Sequence, residues 1–318
     1  GSLSFSEKYL TCAMDFESYN FDGPDIREDN GYGMGLAPHI NDLTAKKAWF
    51  CFDKELVALG AGINSTMNSP VDTTVEHRRL VQEEKYGQFV KSAEADGKID
   101  RFGQAIYEKR YTNPQWVCME GHSGYYFPDG GNVYIRRYIS EIDTESGVFG
   151  NNLEEGIIWE NAKQPFFEVR LEHGENPKDA TYSYVILPYA TPKTLEEYAN
   201  GHDIEIVSNT AKVQAVYKKS LGITGYVFYE PGKCEKLETN QPLIMMSGPV
   251  ENSDELTEIR ITDPSHELES AIVKIDGDYE VVRCHERIQT VCEDGMVKLL
   301  IDFKDANGRG LDIVLKKR

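Results

Sequence analysis

Residues 46–60 read Lys46–Lys47–Ala48–Trp49–Phe50–Cys51–Phe52–Asp53–Lys54–Glu55–Leu56–Val57–Ala58–Leu59–Gly60. Two apolar runs of strand length flank the charged triplet Asp53–Lys54–Glu55, a pattern that predicts a β-hairpin. The same signals recur on either side. Runs rich in β-branched and aromatic residues lie at 9–16, 73–80, 115–119, 124–127, 132–138, 166–173 and 182–187, divided by clusters such as Pro128–Asp129–Gly130–Gly131. Their spacing predicts a many-stranded antiparallel sandwich. Alternation is clearest in Tyr182–Ser183–Tyr184–Val185–Ile186–Leu187, which Pro188 ends because it has no N–H to give a ladder. Between the first run and the hairpin, the polar, Gly- and Asp-rich sequence reads as a long loop.

One helix is expected. Thr191 is its cap, Pro192 its first position and Asn200–Gly201 its stop. Beyond it, strand signals at 204–207, 213–217, 223–229, 258–262, 269–275, 287–292 and 297–303 predict a second, smaller β-sandwich. The expected organisation is one domain over residues 1–203 and another over 204–318.

A chain of 318 residues is long enough for two such domains, and its 18 Tyr and 13 Phe suit strands with one buried face. The formal net charge of -19 argues against a nucleic-acid partner, because phosphate binding needs a basic surface. Local pairs such as Arg78–Arg79 and Arg136–Arg137 still make positive spots inside that negative field. No run approaches the roughly 18 apolar residues of a membrane span. The six cysteines are scattered without CxxC spacing, and most read as small buried apolar residues. The start at Gly1–Ser2, without Met, has the look of a cloning remnant and leaves the question of a signal peptide open.

No self-contained catalytic centre is visible. The seven histidines do not pair at metal-ligand spacing, and there is no HExxH, GxSxG or phosphate-cradling glycine loop. Asp-rich residues 20–30 offer hard oxygen ligands for calcium but lack EF-hand-like spacing, so no cofactor is expected. The stretch from Trp116 to Pro128 gathers aromatics beside a histidine and leads on to Arg136–Arg137. Aromatic faces stack on pyranose rings, and arginine forks match carboxylate or sulfate. Trp116, His122, Tyr125, Tyr126, Arg136 and Arg137 are therefore the candidate carbohydrate contacts, although strand alternation sends at least half of such rings into a core. A separate reading makes His122, Tyr126 and Arg136 an acid–base centre.

A family resemblance narrows these readings. Lys46 to Ile63 resembles the "K-x-W-F-x-F-D-x-E-x-V-x-L-G-x-G-I" stretch of the family 8 polysaccharide lyases, the hyaluronate, chondroitin and xanthan lyases. Further stretches follow in that family's order: Thr73–Arg78, Gly124–Pro128, His173 through Tyr184 to Pro188, and Ile204–Ile206 leading to Val213–Val216. His77 departs from the family's "T-V-E-N-R" pattern, where Asn is usual.

The resemblance implies an all-β chain, with a large antiparallel supersandwich of galactose-mutarotase-like type followed by a C-terminal β-sandwich. It implies that the catalytic Asn, His, Tyr and Arg of the family sit in a helical α/α toroid absent from this sequence. The expected function is thus the β portion of a polysaccharide lyase. It would act on a uronate-containing polysaccharide by β-elimination, contribute carbohydrate binding and scaffold, and be inactive alone. A free-standing carbohydrate-binding or structural module of the same fold is the alternative. The expected partners are an acidic polysaccharide and the missing toroid of the same polypeptide, and the expected location is secreted or cell-surface.

Overall fold

The computed structural model describes residues 1–18, 41–80, 87–91, 98–103, 105–141, 163–253, 255–293 and 295–318. Most of the expected long loop, including residues 20–30, lies outside the described residues. In chain order the strands are β1 (Ser2–Phe5), β2 (Tyr9–Glu17), β3 (Thr44–Cys51), β4 (Leu56–Asn64), β5 (Pro70–Arg79), β6 (Gln88–Lys91) and β7 (Ile99–Phe102). Then come β8 (Tyr107–Thr112), β9 (Trp116–Met119), β10 (Ser123–Tyr126), β11 (Asn132–Glu141), β12 (Lys163–Glu175), β13 (Ala180–Pro188) and the helix α1 (Pro192–Gly201). The remainder is β14 (Ile204–Asn209), β15 (Val213–Lys218), β16 (Ile223–Phe228), β17 (Gly232–Cys234), β18 (Leu237–Thr239) and β19 (Leu243–Pro249). It closes with β20 (Leu256–Thr262), β21 (Ser270–Asp276), β22 (Tyr279–Cys284), β23 (Ile288–Glu293), β24 (Met296–Asp302) and β25 (Leu311–Lys317). The chain is all-β, as expected, with antiparallel ladders and one short helix among the described residues.

Two compact units divide it: Gly1–Ser69 with Glu175–Ser183 and Gly201–Arg318, and Pro70–Gly174 with Tyr184–Asn200. In the first unit, β1-β2-β3-β4 form an antiparallel run, and the hairpin expected at residues 48–60 is β3–β4, paired from Cys51↔Leu56 to Thr44↔Asn64. Seven strands ordered β14-β15-β16-β19-β20-β25-β22 and five ordered β17-β18-β21-β24-β23 enclose a core that includes Phe228, Leu243, Ile261, Val273, Leu299 and Ile313. The period-2 pattern explains it. In β21, Ala271, Val273 and Ile275 point inward while Ser270, Ile272 and Lys274 do not.

Glycine permits two close approaches in this unit. A Cβ on Gly225 would stand 2.5 Å from Thr11 Oγ1 and 2.7 Å from the Phe50 ring, so β16 lies against that ring only because it has no side chain there. A Cβ on Gly60 would stand 2.0 Å from the Tyr182 ring.

In the β3–β4 turn, Glu55 is 4% exposed and pairs with Lys218, whose ammonium also holds Asp203. One expectation is corrected here: only Cys118 and Cys234 are buried, while Cys12 and Cys51 are intermediate and Cys284 and Cys292 exposed, all as free thiols. Strands β22 and β23 carry the last two.

The second unit has two antiparallel sheets and α1. One sheet has the order β5-β12-β11-β8, and the other runs from the later residues of β13 through β10, β9 and β6 to β7. Helix α1 starts where the sequence predicts. Thr191 Oγ1 accepts from the Thr194 amide at 3.2 Å, and Thr194 Oγ1 accepts from the Thr191 amide at 2.8 Å, a reciprocal cap. A Cβ on Gly124 would lie 2.6 Å from Leu195 Cδ1 and 2.7 Å from Ala190 Cβ, so this glycine lets the helix settle directly on β10.

Candidate functional site

The helix explains where the expected sugar contacts fall. Because α1 lies over one face of β9 and β10 while the other faces the unit's core, all eight residues of the two strands are buried. Trp116 is 0% exposed and its indole N–H donates to Glu196 at 3.3 Å, the same carboxylate that binds Lys91. Tyr126 meets Tyr198 edge-on at 5.7 Å between ring centroids. Arg137 is buried on the inward face of β11, opposite Tyr107 on β8. Tyr125 is buried as well, and its hydroxyl donates to Glu76 at 2.5 Å. Trp116, Tyr125, Tyr126 and Arg137 are thus built into the unit's interior, a correction to their reading as surface contacts. Of the six candidates, His122 and Arg136 keep open surface.

The structure does not bring these two together. Arg136 lies on the outer face of the β5-β12-β11-β8 sheet. Its guanidinium binds Glu168 directly across on β12 and stands 4.0 Å from the centroid of the Tyr138 ring. Glu168 is 6% exposed and also takes Arg170 Nε at 3.2 Å, while Arg170 reaches Asp72 at 3.1 Å. Arg110 and Arg170 both lie against the Tyr134 ring, at 4.6 and 4.4 Å from its centroid. At the other end of this ladder, the His77 ring sits 5.3 Å from Phe166 and bonds the Tyr138 hydroxyl at 2.8 Å. From Tyr138 to Asn132 the face spans about 20 Å at roughly 3.3 Å per residue, room for several sugar rings.

His122 belongs to a second cluster. It sits in the turn between β9 and β10, with Nδ1 2.7 Å from Ser123 Oγ. Ser123 bonds the Tyr125 hydroxyl, which donates to Glu76, and Glu76 accepts from Arg78 Nε at 3.2 Å. A chain of polar contacts therefore runs from His122 to Arg78. Burial and then the Glu76 charge push the neighbouring Tyr184 hydroxyl up to about 12. Burial and then the positive charge of Arg78 hold the His122 imidazole below its ordinary value, against the opposing pull of Glu76. Around neutral pH this histidine is an uncharged hydrogen-bonding group, and Arg78 is the cation.

The Glu76 relay was not legible from the sequence, because it joins β5 to β10 across the unit's interior. Arg78 was visible as part of a basic pair and of the Thr73–Arg78 stretch, but not as the partner of Glu76. Among the described residues no group of three or more His, Cys, Asp and Glu side chains gathers to hold a metal ion.

Comparison with known proteins gives a consistent picture. The family model described as "Polysaccharide lyase family 8, super-sandwich domain" matches residues 1–199, and "Polysaccharide lyase family 8, C-terminal beta-sandwich domain" matches 205–272. A xanthan lyase of Bacillus sp. (strain GL1) is 31% identical over 73% of this chain and 25% of its own length. A hyaluronate lyase of Thermasporomyces composti is 30% identical over 80% of this chain and 32% of its own length. The solved structure of Paenibacillus xanthan lyase superposes with a TM-score of 0.80 at 23% identity, covering 100% of this chain and 28% of that one. The chain spans about a quarter to a third of the length of these relatives.

Proposed function

Since this chain belongs to polysaccharide lyase family 8, we propose that it is the β portion of a lyase that cleaves a uronate-containing polysaccharide by β-elimination. The observation that carries the reading is the match of two consecutive family domains along a chain that covers only part of its relatives. β-Elimination needs a base for the proton beside the carboxylate, an acid for the leaving oxygen and groups that neutralise the carboxylate. In this reading a helical toroid elsewhere in the polypeptide supplies them, and the present chain supplies a rigid wall and sugar contacts. The supersandwich domain ends at residue 203 and the C-terminal sandwich begins at 204. The protein works outside the cell or at its surface, where such polymers are found, and no described helix is long and apolar enough to cross a membrane.

Support for sugar binding comes from the outer face around Arg136, where the partly exposed Tyr138, Phe166 and His77 rings adjoin the guanidinium of Arg136, while Arg110 and Arg170 lie over the buried Tyr134 ring. Its arginines are already paired with carboxylates, so the face binds through ring contacts and hydroxyl hydrogen bonds more than through net charge. The test is isothermal titration of this chain with hyaluronan, chondroitin sulfate, xanthan and a neutral glucan, alongside absorbance of the unsaturated uronate product. Heat with at least one acidic polymer, weakened by Arg136→Ala, and flat absorbance are expected. Absence of heat with every polymer would refute the binding role, and rising absorbance would refute inactivity of the isolated chain.

A further inference from the structure

Tyr189 is the most exposed large hydrophobic residue described, at 83%, and its backbone sits at φ 54°. A bulky side chain seldom adopts that conformation, because Cβ crowds the following carbonyl. Here the neighbours enforce it. The Tyr189 amide donates to the His122 carbonyl at 2.7 Å, and the Gly121 amide donates to the Ala190 carbonyl at 2.8 Å. Two residues on, the reciprocal cap of Thr191 and Thr194 fixes the start of α1. The segment is thus pinned on both sides, and a strained backbone held this firmly marks a position where the geometry serves a purpose. What it achieves is to stand a tyrosine ring in solvent beside the turn that carries His122.

The same turn leads to a prepared cation. Glu76, 11% exposed at its side chain, is anchored by the Tyr125 hydroxyl and by the His77 amide at 3.0 Å, and it grips Arg78 through Nε. The Arg78 side chain is 42% exposed and is already oriented by that bond. A guanidinium fixed through Nε presents its remaining N–H groups as a fork that matches a carboxylate.

We propose that Tyr189, His122 and Arg78 form a subsite for one acidic sugar residue, with its ring on the Tyr189 face, a hydroxyl on His122 and its carboxylate on Arg78. This deepens the polysaccharide-binding reading and rests on it. The ligand class follows from the parts. An exposed aromatic ring takes the apolar face of a pyranose, a neutral imidazole exchanges hydrogen bonds with hydroxyls, and an oriented guanidinium selects a carboxylate over a neutral substituent.

The test uses calorimetric titration of this chain with a hyaluronan oligosaccharide and with the same oligosaccharide after reduction of its carboxyl groups to alcohols. Arg78→Ala should weaken binding of the acidic form by about tenfold or more, the size expected for a lost charge-assisted hydrogen bond, and should leave the reduced form unchanged. Tyr189→Gly should weaken both forms. It relieves the backbone at φ 54° and so keeps the fold while deleting the ring. If the wild-type chain binds and Arg136→Ala weakens it while Arg78→Ala and Tyr189→Gly do not, the subsite is refuted and the broader reading stands. No heat from the wild-type chain with either oligosaccharide overturns both.

Discussion

The ammonium of Lys218 stands 2.6 Å from a carboxylate oxygen of Glu55, with the two side chains only 9% and 1% exposed. Asp203 completes the group, bound by the same ammonium and by the Ser220 amide at 3.0 Å. Breaking a buried pair by removing one partner leaves an uncompensated charge and costs about 3–5 kcal/mol. Lys218→Met is expected to destabilise the first unit by that amount, whereas Lys218→Met combined with Glu55→Leu should recover a large part of it. Urea unfolding of the two variants against wild type measures the difference.

The same group sets a pH dependence. Burial pushes the Asp203 carboxyl up, but hydrogen bonds from Lys218 and Ser220 outweigh it and hold the group at about 2, below its ordinary 3.8. A carboxyl depressed in the folded state contributes its full stability above the unfolded value and loses it as pH falls through the folded one. The stability gap between wild type and Asp203→Asn should therefore be constant from pH 7 to about 5 and close between about pH 4 and 2. Urea midpoints across that range check it, and a gap that widens toward low pH would refute it.

Glu168 offers a test of shared charge. It receives both Arg136 and Arg170 while only 6% exposed, so either arginine alone still compensates it. Arg136→Ala and Arg170→Ala should each cost about 1–2 kcal/mol, and the double variant should cost more than their sum by about 1 kcal/mol or more. A double-mutant cycle reads that excess directly, and strict additivity would show that the two arginines act on Glu168 independently.

At Gly60 the constraint is steric. Gly60→Ala drives a methyl group onto the buried Tyr182 ring and is expected to cost about 1–3 kcal/mol or more. The pair Gly60→Ala with Tyr182→Leu should regain part of that loss in thermal unfolding, because the smaller side chain clears the ring position.

Thiol chemistry reports the two kinds of cysteine. Burial pushes the Cys118 thiol up to about 12 and the Cys234 thiol up to about 11, so neither forms thiolate at neutral pH. Cys284 and Cys292 are exposed. Brief alkylation of the native chain followed by peptide mass spectrometry should label those two first and leave Cys118 and Cys234 unlabelled until denaturant is added.

Much of this architecture was readable in the sequence because its strands announce themselves. The hairpin at residues 48–60, the alternation of Tyr182–Leu187 and the Thr191–Pro192 helix start all rest on local periodicity and capping, which act within a few residues. Strands such as β8 and β22 were missed. Their sequences, YEKRYT and YEVVRC, are mostly exposed and carry charges where a half-buried strand would place apolar residues. The candidate site was less legible for a different reason. An amphipathic pattern tells which side chains alternate, but not that a helix will cover the second face of β9 and β10. Trp116 and Tyr126 therefore looked like surface rings. Tyr189 carried no signal, since a positive φ at tyrosine is imposed by the hydrogen bonds around it rather than by its own preference.

That imposed conformation also opposes two selective pressures. Glycine at position 189 would ease the backbone and favour folding, whereas the aromatic ring there would be kept only by a benefit unrelated to folding. Laboratory evolution under heat alone should drift toward the small residue, and evolution under substrate scarcity should hold the large one. Which way the position moves would reveal what the organism is selecting for.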